Sequence, residues 1–425
     1  MIELAARLAV VGLAVAALLC ASMAEARPAA WVIRDGRFFV NGRRVFLKIG
    51  KPLRNFAVAA ECDKLIADLP VLKAKQYSAI EINCYWHQFD PNGDGTPDAS
   101  TAPLRRLVDA IYAAGMYPCL SVETYGVGGG ALPAGFWQKH PDAVAVNAQG
   151  HKVNDTEYGF GSIVPTIHSP QYRRVVHAYI QAIVRAVDHK KVLWFETTVE
   201  PQYIGNQSID YSDHARTTYA AWLKRNRLPG PAFPDLLPAP ESFVKDATWN
   251  RFRAEALAAW VSDDAAAFRS VAGPDAYVAA DYLETAGPEM PNRNGDSRTF
   301  LERLRGINVI QVNWHWHLGT RRTNEVAYRK VREAMAEGGQ PWAIAEHMTL
   351  NGSDFRPDEV PALLRSTLRN GTGLGWEFLN VAPSSADPFS VYSDDWSPKP
   401  LIAEVENHWA EWMREVDALP APGKR

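Results

Sequence analysis

The chain has 425 residues, 47% of them hydrophobic, and its 45 basic against 48 acidic residues leave a formal charge of −3. So even a balance excludes the strongly basic surface by which proteins hold nucleic acid or an anionic membrane. The length suits two ordinary domains or one large barrel, and no Ser/Gly-rich linker or charge block divides it, so one large domain is expected. What stands out is aromatic content, 14 Trp and 15 Tyr, side chains that stack on sugar rings as well as filling cores.

Residues 1–26 read as an export signal. Arg7 sits in a short polar start, an almost unbroken apolar run follows from Leu8 to Leu19, and Ala24-Glu-Ala26 places small residues at the cleavage positions. About 12 apolar residues cannot span a bilayer core, which takes roughly 20. A secreted or periplasmic chain starting at Arg27 is therefore expected. Residues 27–44 carry mixed apolar and polar positions around Asn41-Gly42, the signature of a β-hairpin, placed here across the bottom of the domain.

From residue 45 to 418, short apolar or β-branched runs alternate with helical patterns, as parallel βαβ units require. The predicted strands are Val45–Ile49, Ala79–Tyr85, Tyr117–Thr124, Val192–Val199, Ala276–Tyr282, Val309–Trp314, Trp342–Glu346 and Gly373–Leu379. The predicted helices include Cys62–Lys73, Pro103–Ala114, Pro170–Asp188, Asp213–Arg227, Pro240–Val271, Asp296–Leu304, Asn324–Glu337, Pro357–Arg369 and Lys399–Val416. Eight such repeats point to an α/β fold of the (β/α)8 or TIM-barrel type, with long loops after strands three and four, and a short tail at 419–425. Those loops, Tyr125–Ser169 and Tyr203–Asp275, exceed ordinary βα connections and are expected to wall a cleft.

In such barrels the chemistry sits at the C-terminal strand ends. Here those ends carry Trp86 and His87, Glu123, Glu200 and Tyr203, Asp281 and Tyr282, His315 and His317, Glu346 and His347, and Trp376 and Glu377. Glu200 and Glu346, ending strands four and seven, form the pair of acids that cleavage of a glycosidic bond requires. Glu196 lies an even number of residues before Glu200, on the same strand face, and is its rival. His315 and His317 share a strand face, but no further ligand cluster completes a zinc site; contact with sugar hydroxyls or orientation of Glu346 is expected of them. Trp86, Glu123, Tyr203, Asp281 and Tyr282 are the other candidate substrate-binding residues.

Asp90-Pro-Asn-Gly-Asp-Gly-Thr-Pro-Asp98 resembles a calcium loop, with oxygen ligands from Asp90, Asn92, Asp94 and Asp98 and a turn glycine at Gly95, but Thr101 stands where the bidentate acid belongs. A plain Asx-rich turn is the competing expectation. Cys62, Cys84 and Cys119 follow the signal, an odd number, so no disulfide framework holds the fold.

Several motifs now carry a resemblance. The segment Phe38-Phe-Val-Asn-Gly-Arg-Arg-Val-Phe-Leu-Lys-Ile-Gly50, the loop Gly135-Phe-Trp-Gln-Lys-His-Pro-Asp142 with Asn147-Ala-Gln-Gly150, and the helix Tyr219-Ala-Ala-Trp-Leu-Lys224 resemble the catalytic barrel of glycoside hydrolase family 42 β-galactosidases. That family lies within the retaining (β/α)8 clan, and the chain carries echoes of families 35 and 5. The resemblance implies a hydrolase of β-linked oligo- or polysaccharide without organic cofactor, Glu200 as general acid, Glu346 as nucleophile, and Trp376 as a platform under the sugar. Alternatives within and beyond it are an endo-β-glucanase or mannanase, and a non-catalytic carbohydrate-binding barrel. Three positions depart from the clan: Val199 replaces the Asn before the acid, strand two lacks an arginine, and Trp314-His-Trp-His317 replaces a tyrosine.

Overall fold

The computed structural model describes residues 31–34, 36–125, 132–155, 162–197, 199–203, 209–235, 238–282, 293–315, 329–331, 333–334, 343–349, 361–362 and 373–418; side chains at 154, 155, 162, 244, 313–315 and 343–349 lie outside that description. The export signal, the tail and His317 also lie outside it.

Residues 31–45 make three strands, β1 (Trp31–Arg34), β2 (Arg37–Val40) and β3 (Arg43–Val45), in one antiparallel sheet, one strand more than the expected hairpin. Asn41 and Gly42 turn the second pair with φ of 49° and 78°, the two positive values a two-residue hairpin turn demands. Eight parallel strands follow and close on themselves: β4 (Leu47–Lys51), β5 (Ala79–Tyr85), β6 (Tyr117–Glu123), β9 (Trp194–Glu196), β10 (Val278–Tyr282), β11 (Val309–His315), β12 (Ala343–Thr349) and β13 (Gly375–Leu379), which pairs back onto β4. A two-stranded sheet, β7 (Asn154–Asp155) and β8 (Ser162–Ile163), lies in the loop after β6.

Register sorts the side chains into two sets. Ile49 pairs with Ala79, Glu81 with Cys119, Ser121 with Glu196, Ala279 with Val309 and Asp281 with Gln311. Directly paired residues share a face, so this row lines the lumen. Its lower part is apolar: Leu47, Ile49, Ala79, Cys119, Trp194, Ala279 and Val309 pack with Phe38 from β2, which stops the bottom of the barrel. The alternate row, with Ile80, Ile82, Leu120, Val122, Val278, Ile310 and Val312, packs against the helices.

The helices form for local reasons. In Pro170–Ala186, the Ser169 hydroxyl accepts from Tyr172 N–H, Pro170 occupies the first turn, and Tyr172, Val175, Val176, Tyr179, Ile180, Ile183 and Val184 repeat at helical spacing on the buried face. The long connection after β9 carries helices Asp213–Asn226, Glu241–Val244 and Ala247–Ala272. Tyr211, Tyr219, Trp222, Phe233, Phe243, Trp249 and Phe252 give it an aromatic core of its own. Much of the aromatic excess is therefore packing rather than sugar binding. Cys62, Cys84 and Cys119 are buried free thiols. No described helix is long and apolar enough to cross a membrane.

Candidate active site

Above the apolar plug the lumen turns polar. Lys51 reaches Glu81 at 2.7 Å, Glu196 at 3.8 Å and Glu377 at 3.9 Å, while the Gln311 amide donates to Glu81 at 3.4 Å and Glu377 at 3.5 Å. All five are essentially inaccessible to solvent. Burial alone would raise the Glu81 pKa, but Lys51 holds it down at about 2. Burial, then the charge of Glu81, pushes Glu196 and Glu377 well up, with Lys51 opposing. Lys51 is pulled down by burial but kept well above the usual range by the carboxylates around it. The floor of the site is thus one Lys51–Glu81 ion pair flanked by two acids whose ionised forms burial disfavours. Expectations from sequence missed Lys51, Glu81 and Gln311, although charged residues at alternate positions of apolar strands were a signal for them.

β9 is only three residues long, shorter than the predicted Val192–Val199, and the chain leaves the sheet beyond Thr197, whose N–H donates to Ala279 O. Glu200 follows on a turn with φ of 48°, a conformation costing a non-glycine residue of order 1–3 kcal/mol. Val199 N–H donates to Glu123 Oε2 at 2.9 Å, and Glu200 N–H to Asp281 Oδ2 at 3.2 Å. A hydrogen bond contributes about 0.5–1.5 kcal/mol, so the two together offset strain of this size. Glu200 is 5% exposed. It accepts from Gln202 Nε2 at 3.2 Å, and Gln202 Oε1 accepts from the buried Arg293. Gln202 and Arg293 also escaped the sequence, since Arg293 arrives from the loop after β10.

Glu123 and Asp281 were expected to meet sugar hydroxyls, but both are buried and bind the main chain. Ser121 Oγ donates to Glu123 Oε1, and Tyr282 N–H to Asp281 Oδ1. Burial raises the Glu123 pKa to about 8 against the pull of Lys51 and of the Val199 N–H and Ser121 hydroxyl donors. Glu196, the rival acid, has its pKa pushed well up by burial but is 0% exposed, deep in the lumen.

Four aromatic assignments need correction. Trp86 is wholly buried among Phe136, Tyr172 and Tyr179, with its indole N–H on Asp90. The Tyr203 hydroxyl donates to Arg253 O under the Arg253 guanidinium. Tyr282 stacks on Phe300 in the helix layer. Trp376 packs against Phe46, Trp409 and Trp412 behind the barrel wall and is no sugar platform. In each case the residue's strand position, or the direction its chain takes beyond the strand, turns it from the mouth. Trp376→Ala should therefore lower stability by about 3–5 kcal/mol in a denaturant titration while changing substrate KM little. A platform would show the reverse.

β12 runs three residues past Glu346, to Thr349, so this position lies within the strand rather than at its end. Position 346 is in register with Val312 and Trp376, and His347 with Asn313 and Glu377. The side chains of Glu346 and His315 lie outside the described residues, and the distance between the two proposed catalytic carboxyl groups with them.

In the Asp90–Asp98 loop, Asp90 accepts from Gly93, Asp94 and Gly95 amides and from the Trp86 indole. Asn92 donates twice to Asp98, and Asp94 accepts from Thr96 N–H. Both carboxyl oxygens of Asp90 and of Asp98 are engaged with the loop itself, and among the described residues no group of three or more His, Cys, Asp or Glu side chains is arranged for a metal. Gly93 and Gly95, at φ of 63° and 91°, lie so close to Phe136 and Ala178 that a Cβ would clash.

Comparison with known proteins fits this architecture. Residues 61–227, the stretch from the first barrel helix through the helix after Glu200, match the glycoside hydrolase family 42 model, described as beta-galactosidase. The fold is similar to a family 42 β-galactosidase of G. stearothermophilus, solved as a catalytic mutant (TM-score 0.67, 16% identity, 89% of this chain and 58% of that one). It is also similar to a β-galactosidase of the psychrophilic Marinomonas ef1 (0.64, 14%, 88% and 62%) and to the catalytic domain of a β-amylase of Paenibacillus polymyxa (0.60, 12%, 88% and 99%). The chain thus spans less than two thirds of the galactosidases it resembles. No curated protein matches it in sequence.

Proposed function

We propose that the chain is an exported glycoside hydrolase that cleaves β-linked oligo- or polysaccharide with retention of configuration, with β-galactosides as the first substrate class. The observation that carries this is Glu200: a carboxyl group at the C-terminal mouth of a (β/α)8 barrel, on a strained turn held by both flanking strands, inside the segment matched to a β-galactosidase family. Strain at a non-glycine residue persists where the surroundings over-determine it, and such sites cluster at functional centres.

Glu200 protonates the departing glycosidic oxygen, and Glu346 attacks the anomeric carbon to form a glycosyl-enzyme. Glu200, now a carboxylate, then removes a proton from the water that releases the sugar. Gln202, oriented by Arg293, donates to Glu200 Oε2 and stabilises its ionised form. The chemistry uses carboxyl groups alone and needs no organic cofactor.

The test is turnover by the full chain on aryl β-glycosides and soluble β-glycans, with NMR of the first-formed anomer and Glu346→Ala as control. Hydrolysis giving the β-anomer and lost in the control is expected. The α-anomer as first product would replace retention by inversion. The pairing of position 346 with Val312 and Trp376, whose side chains face the helices, favours one second reading, a barrel that binds sugar without cleaving it. Sugar binding with no turnover anywhere on the panel identifies that case.

A further inference from the structure

We propose that Glu123 and Asp281 are positioning residues that fix Glu200 by holding the consecutive amides of Val199 and Glu200 from the two strands on either side of β9. This rests on Glu200 being the general acid.

β9 is hydrogen-bonded to β6 on one side and β10 on the other, and it ends sooner than either. Val199 and Glu200 follow the last ladder bond, made by Thr197, yet both stay buried, at 3% and 5% exposure. A buried N–H must find an acceptor. Glu123, the last residue of β6, supplies one, and Asp281, the penultimate residue of β10, supplies the next. Each carboxyl group is itself fixed by a second bond, Glu123 by the Ser121 hydroxyl and Asp281 by the Tyr282 amide. In this turn the Glu200 carboxyl group accepts from Gln202 Nε2 at 3.2 Å. Neither clamp residue has solvent-facing surface for a sugar, at 1% and 0% exposure. Their effect on the reaction therefore runs through Glu200, and misplacing a catalytic group by about 1 Å costs on the order of 100-fold.

General-acid function has a signature that structural damage lacks. It matters for a leaving group that needs a proton, such as methoxyphenol, and hardly at all for one that departs as a stable anion, such as 2,4-dinitrophenol. The ratio of kcat/KM on the 2,4-dinitrophenyl to the 4-methoxyphenyl β-galactoside is the readout, measured on the full chain for wild type, Glu200→Ala, Asp281→Leu, Asp281→Asn and Glu123→Leu.

Asp281→Leu and Glu123→Leu should each raise the ratio at least tenfold, in the direction of Glu200→Ala. Asp281→Asn, which keeps an acceptor, should return most of the way to wild type. In a Glu200→Ala background Asp281→Leu should raise the ratio no further, because both act through one group. An unchanged ratio in both leucine variants, while Glu200→Ala raises it, overturns the clamp and leaves the acid assignment standing. An unchanged ratio in Glu200→Ala overturns the acid, and the clamp with it. If the leucine variants do not fold, Asp281→Ala and Glu123→Ala, which also lack an acceptor, decide: a raised ratio with an unchanged unfolding midpoint supports the clamp, and a wild-type ratio in both overturns it.

Discussion

Glu200→Ala is expected to lose about 10²–10⁴-fold in kcat/KM on a glycoside with a poor leaving group, the usual contribution of a positioned proton donor. An activated aryl glycoside should still form the glycosyl-enzyme but release it slowly, since the same residue activates the water. Azide needs no deprotonation. Added to Glu200→Ala it should restore turnover and give the β-glycosyl azide, because it attacks an intermediate already inverted once. Glu346→Ala lacks the nucleophile, so azide there should enter from the opposite side and give the α-glycosyl azide. The two anomers, read by NMR, separate the two roles in one experiment. Wild-type rates in either variant would sink that residue's assignment, and the same experiment on Glu196→Gln would then test the rival acid.

Lys51→Met should have a large effect on stability. Three lumen carboxyl groups would lose the cation they share, and removing one member of a buried pair costs about 3–5 kcal/mol. The midpoint of urea unfolding should fall with an unchanged slope, and Lys51→Met/Glu81→Gln should recover part of the loss because no uncompensated charge remains. A change below about 1 kcal/mol in Lys51→Met would refute the ion pair as the centre of the lumen.

Stability should follow pH in the corresponding directions. The Glu81 pKa is depressed in the fold, to about 2, so its contribution is present above about pH 4.5 and lost as pH falls towards 2. The Glu123 pKa is raised, to about 8, so its contribution is present below about pH 4.5 and lost as pH rises through 8. Glu196 and Glu377 act in the same direction as Glu123. Lys51→Met should therefore weaken the acid limb in particular.

The barrel was legible because its signals are local. A buried parallel strand needs a short β-branched run and a helix needs apolar residues at its own spacing, and both can be read within ten to twenty residues. Ala79–Tyr85 was predicted and found without change. β9 was not, because Val192–Val199 has strand composition throughout but among its described residues the ladder register covers Trp194–Glu196. Gln202 and Arg293, ninety-one residues apart, meet only through the closure of the barrel.

The aromatic residues show where reading along the chain fails. A strand turns successive side chains to opposite faces, so one position of register decides between mouth and helix layer. Trp376 is a strand-eight tryptophan in either case; only its pairing with Lys48 and the packing of Trp409 and Trp412 against it put it behind the wall. Lys51 was overlooked for the converse reason, since the predicted first strand stopped at Ile49 and two more residues carry a charge into the lumen. What the sequence by itself determined is the alternation of strand and helix and the placing of Glu200 near the end of strand four, because hydrophobic period and chain order are properties of neighbours. What only the tertiary structure decided is which carboxyl groups stay ionised and which hold the backbone, because charge and hydrogen bonding in a buried lumen depend on residues that the closed barrel alone brings together.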